Sequence, residues 1–140
     1  MKTLLRFFLV LIIISSTSYA LDFKQTIIIK LKKDEQKKFL VKYENFVKLF
    51  DFRWTLYKNG GLVIHRSYDK MVAQNILYKR YKNNSFRLDL KSRGESQKFS
   101  TPYILVKFEE FDYKTDEAVL KMFLYDNVGK VSLEEIKERG

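Results

Sequence analysis

The chain has no cysteine, one proline (Pro102), one histidine (His65), one tryptophan (Trp54) and five glycines among 140 residues. Without cysteine there can be no disulfide, no thiolate metal site, no thiol nucleophile and no lipid attached through sulfur. One histidine cannot build a multi-histidine zinc site. The scarce glycines form no phosphate-binding loop, and neither G-x-S-x-G nor H-E-x-x-H occurs. Long apolar runs are equally scarce, the exception being Phe7–Ile14 near the start. We therefore expect no cofactor, no metal and no enzymatic activity.

That one apolar run has a specific setting. Lys2 and Arg6 precede it, and Ser15, Ser16, Thr17 and Ser18 lead to Ala20, with Ser18 and Ala20 as the small residues of a cleavage site. The pattern predicts a signal peptide over 1–20 and a single exported domain over 21–140. An uncleaved N-terminal anchor is the alternative, although Arg6 holds the apolar run to about half of the roughly 20 residues that span a bilayer. A chain of this length buries a sufficient core without disulfides, which suits a periplasmic location.

Charge is abundant and uneven. There are 27 Lys and Arg against 17 Asp and Glu, a net charge of +10, and loss of Lys2 and Arg6 with the signal leaves +8. Residues 21–108 hold 20 basic and 8 acidic groups, whereas 109–140 hold 5 and 9. A basic body with an acidic end points to an anionic partner or to head-to-tail self-association. Lys, Ile, Asn, Phe and Tyr all use A/T-rich codons, so genome composition is the plain alternative.

Along the chain, Phe23–Lys32 alternates as a half-buried strand. Phe39, Leu40, Tyr43, Phe46, Val47 and Phe50 then fall at helical spacing, with Asp34 and Glu35 suited to a helix N-terminus, so the reading is a long amphipathic helix over Asp34–Leu49. Residues 70–81 read equally as helix or strand. Phe86–Lys91, Tyr103–Phe111 and Ala118–Tyr125 read as strands, and Lys91–Lys98 as the clearest loop. Ser132 and Glu135 form a capping box that predicts a short helix near 133–139. This order predicts an α+β fold, an antiparallel sheet packed on one long N-terminal helix. Cystatin-like domains share that order, as architecture without a matching motif. The alternative is an all-β sandwich with an appended helix.

Phe52–Tyr68, FRWTLYKNGGLVIHRSY, is a hairpin whose turn sets its register. A two-residue Asn59-Gly60 turn would place Leu62 and Ile64 opposite in face to Phe52, Trp54 and Leu56. A three-residue loop with Gly60 in a bulge puts all five on one face, and burial of five large side chains favours it. In that register His65 lies across from Arg53 on the polar face, without a carboxylate of the hairpin to orient it.

Two clusters stand out. Glu109, Glu110, Asp112, Asp116 and Glu117 surround one hairpin loop, without EF-hand spacing. Tyr78–Arg93 interleaves Lys79, Arg80, Lys82, Arg87, Lys91 and Arg93 with Tyr78, Tyr81 and Phe86. The second is the candidate surface for a partner or polyanion; strand alternation with a charged outer face yields the same interleaving. Asn83-Asn84-Ser85 is a formal glycosylation sequon. The expectation is a non-enzymatic envelope binding or accessory protein. It would contact an envelope protein through a sheet edge or the basic face, or else bind an anionic surface polymer such as polysaccharide or nucleic acid.

Overall fold

The computed structural model describes residues 23–91, 101–127 and 129–138. They form nine strands: β1 (Gln25–Lys32), β2 (Lys37–Tyr43), β3 (Phe46–Lys58), β4 (Gly61–Tyr68), β5 (Met71–Tyr78), β6 (Ser85–Asp89), β7 (Tyr103–Asp112), β8 (Glu117–Tyr125) and β9 (Val131–Glu135). Every pairing is antiparallel, in a sheet of order β1-β8-β7-β6 and a second of order β5-β4-β3-β2-β9. The inner faces meet in one core that includes Ile29, Leu31, Phe39, Phe50, Phe52, Ile64, Phe108, Leu120 and Met122.

No described residue is helical, so the α+β expectation is overturned. The expected helix over Asp34–Leu49 is instead β2 and the start of β3, joined by Glu44-Asn45 with Glu44 at φ 51°. Phe39 and Val41 of β2 are buried, and in β3 so are Phe50, Phe52 and Trp54. Two alternating strands offset by a two-residue turn reproduce the helical spacing of the apolar residues. Alternation continuing to Trp54, past the end of any such stripe, is what distinguishes them. The all-β alternative keeps its two sheets and loses its helix.

The short helix near 133–139 is likewise absent among the described residues: residues 131–135 are β9, paired with β2. A capping box contributes about 1 kcal/mol, which main-chain pairing along β2 outweighs. Three ion pairs reinforce it, Lys42–Glu134 at 2.8 Å, Lys37–Glu135 at 2.7 Å and Lys38–Glu138 at 2.7 Å. Residues 71–78 resolve as strand, entered through Asp69 (φ 49°) and Lys70 (φ 64°).

The central hairpin uses the rejected turn. Lys58 pairs with Gly61, and Asn59 and Gly60 have φ of 52° and 76°, a two-residue type I′ turn. Trp54 nevertheless opposes Ile64, because a bulge between Trp54 and Leu56 absorbs Thr55. The extra residue is therefore in the strand, and the side chains beyond it exchange faces. Leu56, expected in the core, is 49% exposed, and Tyr57, expected outside, stacks on Phe111 at 4.1 Å.

Trp54 joins the two sheets. Its Nε1–H donates to the Leu31 carbonyl at 2.8 Å, and its own carbonyl accepts from Asp34 N–H at 2.9 Å. The β1–β2 corner is thereby fixed against β3.

Candidate functional site

Of the six cations named from sequence, the five that are described do not share one patch. Lys79, Arg80 and Lys82 are exposed in the turn between β5 and β6. Arg87 projects outward from β6, where it donates to Asp89 at 2.7 Å and covers the Tyr103 ring at 3.8 Å. Lys91 follows the far end of β6, a strand of five residues that spans about 17 Å. Arg93 lies outside the described residues. One turn thus carries three cations, with Arg87 engaged on β6 and Lys91 beyond that strand's far end.

His65 is exposed and pairs with Arg53, as the hairpin reading expected. It borders an open hollow of about 580 Å³ with Gln36, Asp51 and Gln74, in which Asp51 accepts from Gln36 Nε2 at 2.9 Å. At the acidic hairpin end, Glu109 meets Lys107 at 3.2 Å and Asp112 accepts from the Lys114 N–H at 2.9 Å. Among the described residues no three His, Asp or Glu side chains gather as metal ligands.

A second open hollow, about 620 Å³, is lined by Lys32, Lys33, Trp54, Tyr57, Phe111 and Tyr113 among others. Its rings are already occupied with one another. Tyr57 lies flat on Phe111, Tyr113 meets Phe111 edge-on, and the Tyr57 and Tyr113 hydroxyls are 3.0 Å apart. That hydroxyl contact, aided by burial, holds the Tyr57 phenol above its ordinary range. Few ring faces remain open for a ligand to stack on.

The sheet edges differ more sharply. The sheets end on β1, β6, β5 and β9. Lys30 and Lys32 guard β1, Arg87 and Asp89 guard β6, and Glu134 and Glu135 guard β9; β5, MVAQNILY, has no charge, proline or glycine. Val72 is 83% exposed, Met71 54% and Ile76 44%.

Main-chain direction follows from the turns. The two-residue Asp69-Lys70 loop closes on the pair Tyr68 and Met71, so the N–H and C=O of Met71 face β4. At the other end, Tyr78 N–H donates to Asn83 O and Tyr78 O accepts from Tyr81 N–H, both at 3.2 Å, away from β4. Alternation between these ends directs the N–H and C=O of Val72, Gln74 and Ile76 outward. On the inner side, Arg66 Nε donates to Asn75 Oδ1 at 2.8 Å and its guanidinium stands 4.9 Å from the Phe86 ring. Burial pulls the Arg66 pKa down, and the contact ties β5 to β4 at the seam between the sheets.

The sequence reading left 70–81 undecided and so gave Val72, Gln74 and Ile76 no role. The available signal was eight uncharged positions between Lys70 and Lys79 in a chain that is 31% charged. No protein-family model, curated protein or solved structure matches the chain.

Proposed function

We propose that this is an exported, non-enzymatic binding protein of the cell envelope that holds a protein partner by strand addition at β5. The outward main-chain groups of Val72, Gln74 and Ile76, on an uncharged edge with exposed apolar side chains, carry this reading. In such a mode main-chain hydrogen bonds supply affinity and alternate side chains supply selectivity. No reacting group is required. Val72 and Ile76 would make the apolar contacts on the outer face, with Gln74 between them.

The test is a photo-reactive residue at Val72 in the full-length protein in cells, with the same residue at Lys30 on β1 as control. A protein adduct at Val72, absent at Lys30 and lost when Gln74→Pro removes one outward N–H, is expected. Equal labelling from both edges, or no adduct at Val72, would overturn the reading.

A further inference from the structure

We infer that the strand received by β5 is β5 of a second copy, giving a two-fold dimer in which the two five-stranded sheets run on as one. This rests on the strand-addition reading above and names its partner. A two-fold axis pairs a strand with itself, so the segment must suit its own reverse. With the axis at Gln74, Gln74 faces Gln74, Val72 faces Ile76, Ala73 faces Asn75 and Met71 faces Leu77.

Three observations select this register. It pairs all three outward-directed residues with one another, for about six main-chain hydrogen bonds. A register advanced so that Val72 meets Tyr78 would require groups that Asn83 and Tyr81 already occupy. A register set back brings Lys70 into the ladder opposite Ile76 and leaves an outward group of each strand without its match. Only the Gln74-centred arrangement avoids both.

Charge agrees with it. A mature chain of net charge +8 resists meeting its copy over most of its surface, whereas β5 is uncharged from end to end. The apolar gain is local: Val72 is the most exposed large apolar side chain of the described residues and Ile76 is exposed beside it, and they cover each other twice in the dimer.

The cysteine-free sequence allows a direct measurement, because a single introduced thiol is the only one present. Facing Cα atoms of a hydrogen-bonded pair stand about 5.5 Å apart, within disulfide reach. Purified mature protein carrying Gln74→Cys should oxidise to a disulfide dimer several-fold faster than Val72→Cys, Ile76→Cys or the β1-edge control Lys30→Cys. Sedimentation of the unmodified protein should show dimer growing with concentration, and Gln74→Lys should stay monomeric with unchanged circular dichroism.

A maximum away from position 74, or Gln74→Cys reacting no faster than Lys30→Cys, would overturn the self-pairing. If the protein is monomeric while the Val72 photo-adduct holds a foreign protein, self-pairing fails and strand addition stands. If neither dimer nor adduct forms, both fail.

Discussion

At the scale of single residues, two buried polar groups have opposite fortunes. The Tyr68 hydroxyl is buried without a hydrogen-bond partner among the described residues, and burial, with Asp69 adding to it, raises its pKa far above the ordinary tyrosine value. Removing an unsatisfied group relieves a desolvation cost, so Tyr68→Phe should leave the melting temperature equal or higher at pH 7. A folded pKa above the unfolded value, about 10, gives stability that is complete below about pH 10 and is lost as pH rises through the folded value. Alkaline unfolding followed by circular dichroism should therefore fall less steeply in Tyr68→Phe than in the parent. Asp126 is the converse case. It accepts from Val131 N–H at 2.8 Å, Gly129 N–H at 3.1 Å and Lys24 at 3.2 Å, while Lys24 also reaches the Val131 carbonyl. Asp126→Ala should cost about 2–3 kcal/mol in urea unfolding by orphaning the Val131 donor, and Asp126→Asn should cost less.

At the scale of elements, the β3–β4 hairpin exchanges what Leu56 and Tyr57 were expected to do. Leu56→Thr should change stability by no more than about 0.5 kcal/mol. Tyr57→Ala should cost about 2 kcal/mol through loss of its packing on Phe108 and Phe111. Thermal melts of the two variants would discriminate the bulged strand from a bulged turn, which reverses the order. The pairing of Trp54 with Ile64 was legible because burial of both is dictated by apolar pattern; the location of the extra residue was not, because a bulge at Thr55 and a bulge at Gly60 satisfy the same pattern. β1, β7 and β8 were legible from alternation alone. The turns at Glu44 and at Asp69-Lys70 were hidden because left-handed positions there hold Glu, Asp and Lys rather than glycine. Missing the first turned two strands into a helix, and missing the second left β5, and with it the candidate edge, unread.

Over the whole molecule, charge segregation in the sequence becomes internal pairing. The acidic end was expected to act as a pole for other molecules, yet Glu134, Glu135 and Glu138 engage Lys42, Lys37 and Lys38 of β2. The hydrogen bond and charge of Lys42 depress the Glu134 pKa, and those of Lys38 depress that of Glu138. A depressed carboxyl value gives stability present above the unfolded pKa, about 4.3, and lost as pH falls through the folded one. These groups are fully exposed, so salt also screens them. Amide protection factors of β9 should fall before those of β3 both on acidification and on adding salt.

The indole that bonds from β3 to β1 is also the only one in the chain. Its emission therefore reports one event, the parting of the two layers, without an added dye. Should the layers separate before their ladders fray, fluorescence will shift to the red at a lower urea concentration than the far-ultraviolet signal is lost, and the interval between the two midpoints measures how independently each layer holds together.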